Sequence, residues 1–436
     1  MVYTGFITGS FTMAPGRHDF AAIDARWQPV IKSAEQRATG HRLYVPAYYD
    51  FCYSVSEDRN AGFKRYSMSI DSDVCISVGV LDDKSLTVHV GDVELCVAPF
   101  SMMLYSVRFD IDSDDIDAII AVVNKLRYTS LYVADRSLDE FRRLAIMPIM
   151  KVFENSAFRC PQGFNAEDPN YCRAIVENGN KFKVFQIASV DESVWRGDNV
   201  DNILFELGFL SRIGVSNPND MFAPSDDYFR RTMDAARIDI FSNWRGLALF
   251  DTFTMLGHSV QPSIREYWIE CNFKMLYMSQ LFVKMYLIRL NNSFRMYLGD
   301  NSFKLNRSVA NKLQNRYDEF ECKCWFDNVA YSILPCEIHS FIGQSMGISV
   351  EKERLYEKIM RQNQKREKLS DQRMNKLLLF MTVLAMSSAI WDACCLIEGM
   401  YSFDLHQSQL FIRIVTYVVL FVIFIIMFLN YRRQDR

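Results

Sequence analysis

Basic residues are not in excess in this 436-residue sequence: 49 Lys and Arg stand against 52 Asp and Glu, a formal net charge of -3. No global positive field therefore argues for nucleic-acid binding, and charge matters only where it is local. Paired cysteine spacings of the metal-ligand kind are also missing. The 11 cysteines are odd in number and scattered from Cys52 to Cys395, which argues against a zinc ribbon or a disulfide framework and leaves reduced, buried thiols as the expectation. There is no Gly-rich phosphate cradle and no nucleophile elbow. His18, His41, His89, His258 and His339 are dispersed without a partner pattern, and His406 falls between two apolar segments. With no catalytic constellation, the chain is not expected to be an enzyme. Met1 to Phe20 lacks a basic stretch followed by an apolar one and is too poor in Arg and Ser for a transit peptide, so no export of the N-terminus is expected.

What is present is apolar material. Hydrophobic residues make up 50% and charged residues 23%, which excludes a disordered or collagen-like polymer and implies two or three folded domains. The strongest apolar stretches lie at the C-terminal end. Leu377 to Ile397 and Leu410 to Leu429 are each long enough to cross a hydrocarbon core of about 30 Å, and both are expected to be transmembrane helices. Lys365, Arg366, Lys368, Arg373 and Lys376 precede the first, and Arg432, Arg433 and Arg436 follow the second. The positive-inside rule then puts both ends in the cytoplasm and the connector, Glu398 to Gln409, outside the inner (plasma) membrane. Met275 to Leu290 is also apolar but contains Lys284 and Arg289. A central charge costs about 2.5 to 3.5 kcal/mol on insertion scales, so this segment reads as a soluble helix.

The first half mixes strand and helix signals. Ser85 to Val97 alternates on both sides of Gly91-Asp92 and reads as a hairpin. Met103 to Ile111 alternates up to Asp112-Ser113-Asp114, which can cap a helix carrying Ile116, Ile119, Ile120, Val123 and Leu126 on one face. Tyr66 to Val80 and Lys181 to Val190 are weaker strand candidates, and Cys160 to Asn170 is a loop. Three long helical patterns follow: Ser263 to Leu298, Phe303 to Leu334, and one from about Ile348 into the first span, punctuated by Gly299-Asp300-Asn301 and Pro335. Glu351 to Lys376 contains no Gly or Pro, so Ile348 to Ile397 can run as one rod of about 75 Å. The expected fold is an α+β cytoplasmic domain followed by long stalk helices and a two-helix transmembrane hairpin. The boundaries are a sensor domain over 1–245, a helical stalk over 246–373, and the hairpin with its basic tail over 374–436.

Steps of three and four residues from Met374 place Leu377, Met381, Leu384, Ser388, Asp392 and Cys395 on one helix face. One span per subunit lines a pore only if the chain forms a symmetric ring. In such a ring Met374, Leu377, Met381 and Leu384 make a dewetting gate, and Ser388, Asp392 and Cys395 form a polar face above it. The same spacing also serves plain helix packing. Arg413 stands at about the depth of Asp392, so the two can instead neutralise each other across the hairpin.

A long cytoplasmic helix entering a first span, a short outer loop of Glu398, Gly399, Met400 and Tyr401, a second span and a brief basic tail together resemble the CorA family of divalent-cation channels. The resemblance covers the chain from about Ile348 onward, the helical middle as a layout, and the first half only by the order of its elements. It implies a homo-oligomer, pentameric if it follows the family, that gates Mg2+ or another divalent cation. In that family the loop opens with Gly-Met-Asn, whereas Tyr401 stands here in place of the asparagine. Magnesium gives up its waters reluctantly and suits amide and carbonyl oxygens, so housekeeping uptake becomes the alternative reading. The long cytoplasmic region and degenerate loop look like the branch of the superfamily associated with type III CRISPR systems. That likeness implies an antiviral membrane effector opened by a nucleotide second messenger such as a SAM-AMP conjugate. A membrane-anchored sensor or scaffold without ion conduction is a further alternative.

An anionic nucleotide needs cations and a stacking surface. Arg230, Arg231, Arg237, Trp244 and Arg245 interleave in this way just before the helical middle, and they are the ligand-binding candidates; a solvated helix face with a core Trp is the structural alternative. Asp110, Asp112, Asp114 and Asp115 could sense metal between subunits, but helix capping explains most of that cluster.

Overall fold

The computed structural model describes residues 1–16, 18–56, 58, 61–71, 74–80, 85–176, 181–213, 224–267, 273–299 and 307–400. Among these, ten strands form one sheet: β1 (Val2–Thr12), β2 (Gln28–Pro29), β3 (Lys64–Met68), β4 (Cys75–Gly79), β5 (Ser85–Ala98), β6 (Met102–Asp112), β7 (Lys183–Val190), β8 (Arg237–Phe241), β9 (Trp244–Ala248) and β10 (Thr252–His258). The order is β2-β3-β5-β6-β1-β7-β10-β9-β8, with β4 paired to β5. Every pairing is antiparallel except β7 with β10.

The strand at the centre is not an apolar run. β1 is rich in Gly, Thr and Ser, yet it is paired on both edges, to β6 and to β7. Gly5 lies opposite Phe109 and Gly9 opposite Tyr105. A β-carbon at either glycine would run into the facing ring. The aromatic rings thus occupy the space that the glycines leave open, and the strand is buried by side chains of its neighbours.

Tyr3, Ile7, Tyr105, Val107 and Phe109 lie on one face of the sheet. The opposite face carries Phe6, Phe185 and Phe253, with ring centroids 5.7 and 5.6 Å apart along the row.

Helices cover both faces. α1 (Phe20–Ile23), α2 (Ala34–Leu43) and α3 (Pro46–Cys52) lie between β2 or its approach and β3 in the chain. α4 (Ile116–Arg127) follows β6 and buries Ile119, Ile120, Val123 and Leu126, the face expected from their spacing. Its cap is Asp115, whose carboxylate accepts from Ala118 N at 3.0 Å. Asp114 instead holds the N-terminal ammonium of Met1 at 2.7 Å.

α5 (Asp139–Phe141) passes through a π-turn into α6 (Met147–Ser156). α7 (Glu192–Trp195), α8 (Val200–Phe209) and α9 (Asp226–Ala236) fill the connection from β7 to β8. After β10 come α10 (Pro262–Tyr267), α11 (Phe273–Gly299), α12 (Arg307–Cys324), α13 (Ile333–Ser345) and α14 (Ile348–Met400). α11 lies on the second sheet face, where Tyr277 is 5.7 Å from the Phe185 ring.

The hairpin expected at 85–97 is not one. β5 is a single strand with a bulge between Val90 and Val93, where Gly91 and Asp92 together oppose the one residue Arg108. The bulge shifts the alternation by one residue, so Val88, Val90, Val93 and Leu95 all reach the same core. A parity change in the sequence therefore marked a bulge where a turn had been inferred.

The domain boundary at 245 is corrected as well, because β9 and β10 continue the sheet to His258. β7 would otherwise expose a row of unpaired backbone groups. By compactness the first unit comprises 1–294 and 315–353, and the second holds the described residues 295–299, 307–314 and 354–400. Pro335 does not break a helix: it sits in the first turn of α13, where its missing N–H is harmless. The rod expected from Ile348 is present as α14, whose 53 residues span about 80 Å.

Candidate functional site

The residues of the expected gate and polar face all fall on α14. Met374, Leu377, Met381, Leu384, Ser388, Asp392 and Cys395 lie on this one helix. Glu398, Gly399 and Met400 form its last turn, with side chains outside the described set, while Tyr401, the second span Leu410 to Leu429 and Arg413 lie outside the described residues. Among the described residues no helix is long and apolar enough to cross a membrane. The side chains of the first expected span are described without interruption only from Leu377 to Ala389. Within that stretch and just before it, Met374, Leu377, Leu378, Leu379, Met381, Val383 and Met386 are 48% to 68% exposed. These positions cover about two thirds of the helix circumference at 3.6 residues per turn; Phe380, Leu384, Ser387 and Trp391, which step along the remaining face, are only partly exposed. Exposed apolar surface over that much of a helix calls for an apolar surrounding, either lipid or other helices.

The five ligand candidates do not converge. Arg230 and Arg231 sit on α9, and Arg231 pairs with Asp227 at 3.1 Å within the helix. Arg237 and Arg245 do meet, each 2.8 Å from one oxygen of Asp201. Arg245 also lies over the Trp195 ring at 5.4 Å. Trp244 cannot serve as a stacking platform: its indole is 2% exposed, between Phe241 and Phe273. The core reading of this tryptophan is the one the packing supports, and Asp201 already neutralises much of the arginine pair. The acids considered for metal sensing are similarly occupied, Asp110 by Arg108 at 3.0 Å, Asp114 by the N-terminal ammonium and Asp115 as the cap.

Two cavities in the first unit were not foreseen. One, of about 190 Å³, is bounded by Tyr48, Ser279, Gln280, Trp325 and His339. Tyr48 and Ser279 share a hydrogen bond of 2.9 Å, and the Gln280 amide donates to His339 Nε2 at 2.8 Å and to the His339 carbonyl at 3.1 Å. Burial pushes the His339 imidazole down to about 4, in keeping with a neutral ring that accepts at Nε2. The unfolded chain, with an ordinary imidazole near 6.5, binds the proton more readily. Stability is therefore full above about pH 6.5 and falls as the pH drops toward 4. Urea unfolding at pH 4.5 is expected to show a loss of about 2 kcal/mol relative to pH 7, and His339→Gln is expected to remove that part of the slope. An unchanged slope in the variant would show that other groups carry it.

The second cavity, of about 180 Å³, involves Arg65, Glu94, Arg108 and Lys274. Glu94 is buried on β5 and shared by two cations: Arg65 Nε bonds Oε1, and Lys274 Nζ lies 2.6 Å from Oε2. Burial alone would raise the Glu94 carboxyl, but Arg65 and Lys274 outweigh it and hold it well below the usual range. Sequence signals for this group are faint. Asp92 and Glu94 are the polar positions of an alternating strand, and Lys274 is remote in the chain, so only the β5–β6 ladder and the placement of α11 bring the charges together.

No protein-family model, curated protein or solved structure matches the chain.

Proposed function

We propose that the protein is a CorA-like oligomeric membrane channel in which the sheet-bearing unit governs a pore built from the ends of α14. The observation that carries this reading is α14 itself. One unbroken helix starts within the sheet-bearing unit at Ile348 and runs on to a segment whose apolar residues are exposed over most of its surface. A helix of that kind needs partners or lipid at one end while its other end belongs to a folded domain. Differential affinity of a ligand for two arrangements of such rods supplies the opening energy. The resemblance to the CRISPR-associated branch makes a nucleotide second messenger of the SAM-AMP type the proposed opener, with antiviral defence as the setting. The missing loop asparagine disfavours housekeeping magnesium uptake.

The experiment is reconstitution of the full chain in liposomes. Purified protein is expected to form a homo-oligomeric ring, pentameric by the family pattern, and ions are expected to flow when the nucleotide is added. A strictly monomeric, silent protein would overturn the reading. Exchange of both apolar segments for an unrelated hairpin separates channel from anchor: a channel loses activity, whereas an anchored sensor keeps it.

A further inference from the structure

The second cavity is lined by more cations than acids. Lys32, Arg65, Arg108 and Lys274 line it, against Asp92 and Glu94. Arg108 has acids of its own, Asp110 at 3.0 Å and Glu266 at 2.9 Å. Arg65 and Lys274 divide the single buried carboxylate of Glu94. Glu94 engages only Nε of Arg65, and the two terminal amino groups of that guanidinium bond no protein group among the described residues. Lys32 has no ion-pair partner among the described residues; its ammonium lies 5.2 Å from the Tyr53 ring, which also underlies the Arg65 guanidinium at 4.5 Å. Directly opposite Glu94 in the β5–β6 ladder stands Ser106, 1% exposed, whose hydroxyl likewise has no hydrogen-bond partner. Residues paired in this way share a sheet face.

In this cavity a guanidinium fork with its end unoccupied and the Lys32 ammonium are donors in want of acceptors, beside the Lys274 ammonium that Glu94 already holds. We infer that this cavity binds an oxyanion of the phosphate class, held by Arg65, Lys274 and Lys32. About 180 Å³ is small beside pockets that enclose drug-sized ligands, which start near ~300 Å³. A free phosphate fits inside, whereas a nucleotide would enter by its phosphate end. Glu94 keeps the two buried cations fixed when the site is empty and prevents their mutual repulsion from opening it.

The site can be tested without reference to ion flow. Full-length protein in detergent micelles is titrated with sodium phosphate against sodium chloride of equal ionic strength, with thermal unfolding as the readout. Phosphate is expected to raise the midpoint saturably. Lys32→Glu, which alters a half-buried side chain outside the ion triad, is expected to weaken phosphate binding about tenfold or more while leaving the midpoint in chloride little changed. Arg65→Lys keeps a cation for Glu94 but removes the fork, and it too is expected to lose phosphate affinity. AMP and adenosine distinguish the source. Tighter binding of AMP than of phosphate, with no effect of adenosine, marks the phosphate end of a nucleotide; equal binding of AMP and phosphate marks the free anion. A midpoint that follows ionic strength alone, or a Lys32→Glu protein that binds phosphate as tightly as the parent, would overturn the inference. Phosphate binding in a protein that conducts no ions would retire the channel reading and leave this site standing.

Discussion

Replacing Asp251 by asparagine is expected to destabilise the sheet-bearing unit by about 3 to 5 kcal/mol, the cost of breaking a buried ion cluster from one side. Asp251 stands just before β10 and answers three cations. Arg127, at the end of α4, lies 2.9 Å away and Lys183, the first residue of β7, lies 3.2 Å away; Lys181 completes the set. The Arg127 and Lys183 side chains are 6% and 4% exposed, so their charges cannot turn to solvent when the carboxylate is removed. The same residue ties the strands by backbone, since Val184 N donates to the Asp251 carbonyl at 2.9 Å.

The pH dependence follows from the same geometry. Burial alone would raise the Asp251 carboxyl, but Lys183, Lys181 and Arg127 outweigh it and lower it. Its stabilising contribution is therefore complete above the ordinary carboxylate range, near pH 4, and is lost as the pH falls below that. Denaturant midpoints measured from pH 7 downward are expected to show that acid slope in the parent and a reduced slope in Asp251→Asn. A variant as stable as the parent at pH 7 would mean that the three cations find other partners.

Leu384→Asp is expected to open the proposed gate without any ligand. An ionised side chain at the centre of a span costs about 2.5 kcal/mol or more per subunit in an apolar constriction. That exceeds the ~1.4 kcal/mol corresponding to a tenfold population change, so liposome leak in the absence of nucleotide is expected to rise more than tenfold. Water follows the charge into the constriction. Val383→Asp, one helical step away and off the stepped face, is the comparison: impaired insertion without leak is expected. Inserted Leu384→Asp protein in silent membranes would mean that Leu384 does not face a pore.

The elements that depended on local pattern were legible before any coordinates. β6, the buried face of α4 and the start of α14 at Ile348 follow from alternation, helical spacing and the absence of Gly and Pro. Each is a property of neighbours in the chain. β1 was not legible, because its Gly and Thr residues carry no apolar alternation and it is buried by Tyr105 and Phe109 from another strand. The polar sites failed for a related reason. The arginines that looked like a cluster in sequence are divided between α9, β8 and β9 and share an acid from α8, while Trp244 is spent on the core.

Composition and periodicity by themselves determined that the chain has a mixed α and β first half, a long uninterrupted helix and an apolar end; hydrophobic pattern is a local quantity that the chain carries wherever it folds. Only the tertiary structure decided which charges meet. Glu94 with Arg65 and Lys274, and Asp251 with Arg127 and Lys183, are joined across separate elements of the fold. Electrostatic interaction depends on distance and burial in space, and neither can be read from the order of residues along the chain.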